Sequence, residues 1–184
     1  MQDKDTAAEK SSLSRGIYEW MQSVVLAIVL CVLIFIFLFL IVNVDGSSMV
    51  PTLEDRDKIV VSRLFYKPKQ GDIVVLTKHS FSDTSIVKRI IAVGGQTVDI
   101  DFDSGKVIVD GVVLDEQYTA EPTYRQIDMD FPVYVDEGCV FVMGDNRNRS
   151  TDSRDTRIGV VDEGCIIGRL LFRLLPFGKF GRVD

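Results

Sequence analysis

Val44-Asp45-Gly46-Ser47-Ser48-Met49-Val50-Pro51-Thr52-Leu53 divides this 184-residue chain into two regimes. Before it, from Trp20 to Val44, lie 25 residues without one charged side chain. After it, short apolar runs alternate with Gly, Asp and Pro turns as far as Leu175. The first regime predicts a transmembrane helix over 20–44. As a helix it would reach about 37 Å, enough for a hydrocarbon core of about 30 Å with some tilt. Tyr18 and Trp20 suit the membrane interface at its start. A cleaved signal peptide fits poorly, because the run is too long and offers no small-x-small cleavage site. Residues 1–19 are polar and mixed in charge and read as a frayed tail.

The second regime, residues 45–184, reads as one compact all-β domain. Lys58–Arg63, Ile73–Leu76 and Ile86–Val93 have the length and β-branched content of strands. Asp103-Ser104-Gly105 and Asp110-Gly111 are hairpin turns, so a short β-hairpin excursion is expected over about 97–132. Val133–Val135, Val140–Met143 and Cys165–Leu175 complete the set, the last with Leu170, Phe172 and Leu174 on one face. The class expected is therefore mainly β, behind an N-terminal transmembrane helix.

Composition excludes several functions. From Asp45 onward there are 23 acidic and 18 basic residues and no long basic block, which argues against nucleic acid as a partner. One histidine and no C-x-x-C pair argue against a zinc site, and no metal or organic cofactor is expected. Cys31 falls inside the apolar run. Cys139 and Cys165 each close a Val-Asp-Glu-Gly-Cys segment, a spacing that does not establish a disulfide.

A Gly-Ser-Ser turn beside a proline can hold a hydroxyl against a cleft, which makes Ser48 a candidate nucleophile. Its hydroxyl is weakly nucleophilic until a base takes the proton. His79, the one histidine, lies in a polar loop and reads as solvated. Lys88 interrupts an apolar strand, and burial would disfavour its charged form. Alternatively, Lys88 and Arg89 mark a sheet edge or a solvent face. Alternation sends them to opposite faces, so at most one enters a common cleft. Gly144-Asp145-Asn146-Arg147-Asn148-Arg149-Ser150-Thr151-Asp152-Ser153-Arg154 is either a solvated loop or a network in which Asp145, Asp152 and Arg154 pair.

Four segments, in order after an anchor, resemble the boxes of type I signal peptidases, which are membrane-anchored Ser-Lys endopeptidases. They are Asp45–Leu53, Gly71–Val75, Val87–Ile91 and Gly144–Arg154. The resemblance implies Ser48 as nucleophile, Lys88 as general base and Ser150 as the hydroxyl that fixes the lysine amine. It implies Asp152 and Arg154 as a supporting ion pair, with Asp145 in the same shell. It makes the Ser48 N–H one oxyanion donor; Val44, Met49 and Val87 are the expected walls of the substrate cleft. Preproteins bearing signal peptides would be the substrates and the lipid bilayer the other partner. The amino terminus would be cytoplasmic and the β domain extracytoplasmic, an orientation that flanking charges leave tied: Lys10 and Arg15 against Arg56 and Lys58. Two positions depart from the family pattern. Gly46 stands where some members carry a serine that supplies the second oxyanion donor, and Arg149 where a smaller polar residue is usual. The rival readings are a self-cleaving repressor-type protease, which lacks an anchor, and a non-catalytic membrane-tethered β-module.

Overall fold

Apolar content by itself does not choose between helix and strand, and this chain uses one apolar run for both. The computed structural model describes residues 2–183 apart from 65, 79–80 and 82–83, with side chains from residue 16 onward. Helix α1 spans Gln2–Leu38, and its Gly16–Leu38 portion is long and apolar enough to cross a membrane. The expected tail is thus helical from residue 2, in keeping with helix formers such as Ala7, Ala8, Glu9 and Lys10. The helix also stops short of the expected Val44. The last apolar residues form strand β1, Phe39–Asn43, because β2, Lys58–Ser62, offers them an antiparallel backbone partner. That partner lies beyond the turn and leaves no trace in local periodicity.

Helix α1 and the region from Phe39 onward form separate compact units. The second unit is built on a seven-stranded sheet. Its further members are β3 (Ile73–Leu76), β4 (Ile86–Val93), β9 (Cys139–Met143), β10 (Val161–Asp162) and β11 (Ile166–Leu175). The spatial order is β1-β2-β11-β3-β4-β9-β10. Strand β3 is buried at all four positions, as its unbroken Ile-Val-Val-Leu run requires. Ile73 and Val75 pack into one apolar cluster and Val74 and Leu76 into another, so both faces of β3 are covered.

The excursion is more than a hairpin. Strands β5 (Thr97–Asp101), β6 (Lys106–Val109), β7 (Val112–Val113) and β8 (Val133–Tyr134) make a four-stranded sheet in the order β7-β6-β5-β8. The return strand β8 lies past residue 132 and is only two residues long, too short to announce itself by alternation. Inward residues Val98, Ile100, Val107 and Val109 share a core with Ile91, Phe141 and Met143 of the large sheet.

The C-terminal strand departs from simple alternation. Pairing of β11 with β2 slips between Leu170 and Phe172 and again between Arg173 and Leu175. Leu170 and Arg173 are consequently buried, whereas Phe172 and Leu174 are only partly so. Cys139 and Cys165 are separate, partly buried thiols.

Candidate active site

The turn after β1 is closed at its base by two backbone bonds. Val44 N–H donates to Asp57 O, and Arg56 N–H to Val44 O, both at 2.8 Å. Gly46 takes φ +85°, a region that side chains disfavour, and its N–H donates to Asp55 Oδ1 at 2.8 Å. Met49 and Leu53 are buried beneath, joined by a Leu53 N–H to Met49 O bond of 2.9 Å. Ser48 is left half-buried at the surface of this plug.

The far side of the turn rests on the end of β9. Asn146 N–H donates to Ser48 O at 3.0 Å, and Asn146 Nδ2 to Ser47 O at 2.9 Å. A Cβ on Gly144 would stand 2.5 Å from Ser48 O and 2.3 Å from Ser150 Oγ, so only glycine permits this approach. Neither Gly144 nor Asn146 was singled out by sequence, since a contact between residues so far apart has no local signature.

Lys88 comes from β4 and is 3% exposed. Its Nζ lies 2.8 Å from Ser48 Oγ and 3.1 Å from Val87 O. Burial pushes the amine down to about 8, against the pull of the Asp152 and Asp145 carboxylates; the Arg154 charge lowers it further. Thus the strand's two cations part company, as alternation requires. Lys88 turns to Ser48. Arg89 instead makes a bidentate pair with Asp145, Nε–Oδ1 2.9 Å and Nη2–Oδ2 2.8 Å.

Asp152 and Arg154 form a fully buried pair, with contacts of 2.8 and 2.9 Å. Burial would raise the Asp152 carboxyl, but Arg154, the Gly144 N–H and the Ser150 hydroxyl together hold it below the usual range. Ser150 Oγ is itself buried beside this carboxylate and has no well-formed hydrogen bond, to Lys88 or to any other described residue. Arg149 is exposed and stays outside the network.

Three further residues steady the nucleophile turn. Thr52 Oγ1 donates to Asp145 Oδ2 at 2.5 Å, tying the turn to the Arg89 pair. Arg173 of β11 donates to Thr52 O and pairs with Asp57 at 3.2 Å. Sequence gave Arg173 no distinction from a surface cation, because only the register slip in β11 turns it inward.

A cleft of about 210 Å³ opens beside Ser48 and Lys88, lined by Val44, Met49 and Val87 together with Val42, Thr84 and Ile86. The three residues expected as walls therefore stand on it. His79 lies outside the described residues. Among the described residues, no three His, Cys, Asp or Glu side chains gather as a metal-holding group.

A half-exposed serine thus lies against a buried lysine, in a β domain that follows a helix long and apolar enough to cross a membrane. The sequence matches the profile of the family described as "Signal peptidase, peptidase S26" over residues 17–175, and the chain belongs to that family of serine endopeptidases. A signal peptidase I of Bacillus licheniformis is 34% identical across 97% of this chain and 100% of its own length. Signal peptidase I S of Bacillus subtilis is 35% identical, over 96% of this chain and 99% of its own. A crystal structure of a signal peptidase I from Enterococcus faecalis is 30% identical, with a TM-score of 0.47, and covers 57% of this chain and 97% of that one.

Proposed function

We propose that this chain is a signal peptidase I, removing N-terminal signal peptides from exported preproteins with Ser48 and Lys88 as its dyad. The observation that carries the proposal is the 2.8 Å approach of Lys88 Nζ to Ser48 Oγ within a buried setting. With its amine at about 8, an appreciable fraction of Lys88 is neutral near pH 7. That amine accepts the Ser48 proton as Oγ attacks the scissile carbonyl carbon. The resulting ammonium then donates the proton to the departing amine as the C–N bond breaks. Water, deprotonated by the same amine, releases the acyl chain and restores Ser48.

Charge on the tetrahedral oxygen needs preorganised donors. The Ser48 N–H has no acceptor among the described residues and supplies one. The Gly46 N–H is committed to Asp55, which leaves another backbone N–H or the Ser47 hydroxyl as the second donor. Ser150, buried beside the Asp152–Arg154 pair, is the hydroxyl that the family resemblance assigns to orienting the lysine amine, and Asp145 holds the turn through Thr52. The substrate lies extended in the cleft, with small alternate side chains against Val44, Met49 and Val87. The amino terminus is cytoplasmic, and the β domain works at the outer membrane surface, where a signal peptide's apolar segment ends.

The test is incubation of the detergent-solubilised chain with one preprotein, followed by N-terminal sequencing of the product. A single new terminus behind a small-x-small site, absent with Ser48→Ala, is expected. Cleavage that persists in Ser48→Ala would remove the serine from the mechanism. A folded chain with no cleavage and no acylation at Ser48 would favour the tethered binding module.

A further inference from the structure

On the face of β2 and β11 away from the catalytic cleft lies a groove of about 400 Å³, bordered by Leu64, Tyr66, Lys67, Lys69, Arg169 and Leu171. Its chemistry runs against the rest of the domain. Residues 58–71 carry four cations and no acid, in a domain where acids outnumber bases. Lys67 and Lys69 point outward on either side of the buried Pro68, and Arg63 is exposed just before them. None of these three cations has an anionic partner among the described residues. Asp72, the next carboxylate along the chain, is already engaged, accepting from Tyr66 Oη at 2.6 Å and pairing with Arg169 at 3.3 Å. The apolar part of the border is supplied by Leu64, which is 41% exposed, together with Tyr66 and Leu171.

The position of the groove suggests what fills it. Strand β1 begins at Phe39, the residue directly after the apolar helix. Strand β2 runs antiparallel to β1 and brings Ser62 opposite Phe39, and β11 brings Arg169 opposite the same Ser62. Phe39, Ser62 and Arg169 thus form one row across the sheet. Beyond Ser62 the chain continues past that row into Arg63 and Leu64. Arg63 and Leu64 therefore follow directly on the row that holds Phe39, the first residue after the apolar helix.

We infer that this groove docks the headgroup of an anionic phospholipid, holding the catalytic domain against the bilayer. Lys67 and Lys69 meet the phosphate, the exposed Arg63 adds charge beside the groove, and Leu64, Tyr66 and Leu171 meet the glycerol and the first acyl carbons. A cation near an anionic membrane strengthens association about fivefold, and salt screens the effect. The inference rests on the anchoring of the chain by its helix, not on the chemistry at Ser48.

The experiment uses the full chain, with its three native cysteines replaced and Leu64→Cys carrying an environment-sensitive dye. It is reconstituted in phosphatidylcholine vesicles with or without phosphatidylglycerol, each containing a headgroup spin-labelled quencher. Strong quenching in the anionic vesicles is expected, with at least a fivefold loss in neutral vesicles, in raised salt, or with Arg63→Glu/Lys67→Glu/Lys69→Glu. Millimolar inorganic phosphate should leave quenching intact; abolition by phosphate would indicate a free-anion site and overturn the lipid assignment. Equal quenching in neutral vesicles, or unchanged quenching in the charge-reversed variant, would also overturn it. A thermal melt in detergent checks that variant's fold, and glutamine replacements take its place if the melt is lost.

Discussion

Replacing Lys88 with methionine should make the protein more stable and inactive at once. The folded domain disfavours the ammonium: the amine falls from the ordinary lysine value of 10.5 to about 8. At about 1.4 kcal/mol per pH unit, this lowering corresponds to about 3 kcal/mol of native-state cost while the lysine is charged. The sign follows from the folded value lying below the unfolded one. The favourable term is fully present above 10.5 and is lost as pH falls through about 8. Methionine fills similar volume and carries no charge, so the cost vanishes at neutral pH. Against this stand two lost hydrogen bonds, to Ser48 Oγ and Val87 O, worth about 1 kcal/mol each. Lys88→Met should therefore gain roughly 1 kcal/mol at pH 7 and lose that advantage by pH 10.5. Calorimetric unfolding of both chains in one detergent, across that range, measures the difference. A stability gap that does not change with pH would refute the reasoning, since other titrating groups cancel between the two proteins.

Other substitutions test the supports. Gly144→Ala should cut turnover more than tenfold, because its Cβ must displace either the Ser48 carbonyl or Ser150; steady-state kinetics on a short peptide reads this. Asp152→Asn leaves Arg154 buried without its charge partner and should cost about 3 kcal/mol of stability as well as activity. Arg173→Met frees the Thr52 carbonyl and Asp57, and should lower kcat severalfold with little change in KM, because it loosens the turn rather than the cleft walls. A KM effect in place of a kcat effect would move Arg173 to the substrate side.

The strands were legible where burial and turns are written locally. Ile73–Leu76 is continuous because both its faces are covered, and the Asp103-Ser104-Gly105 and Asp110-Gly111 turns announce a hairpin there, though not the strand β8 that completes the small sheet. Phe39–Asn43 was not legible: its residues suit a helix in lipid as well as a strand, and only β2 decides. Nor could period-two reasoning anticipate β11, where two slips reassign the inward positions and bury Arg173. At the site, a hydroxyl on a tight turn and a lysine amid β-branched residues made Ser48 and Lys88 candidates, and the family resemblance chose between the buried and solvent-facing readings of Lys88. Gly144, Asn146, Thr52 and Arg89 position them through contacts between distant segments, and such residues look ordinary until the chain is folded. The bond expected from Ser150 to the lysine amine is not made in the structure, so that role rests on the family resemblance and on the hydroxyl's buried place beside Asp152.

The dyad itself is tested most directly by the pH dependence of kcat/KM for a signal-sequence peptide. With Lys88 at about 8 and working as the neutral base, the rate should fall about tenfold per pH unit below that value and level off above it. His79→Ala should leave the profile unchanged. A limb centred near the ordinary histidine value of about 6.5, moved or abolished by His79→Ala, would contradict the account and transfer the base to the loop.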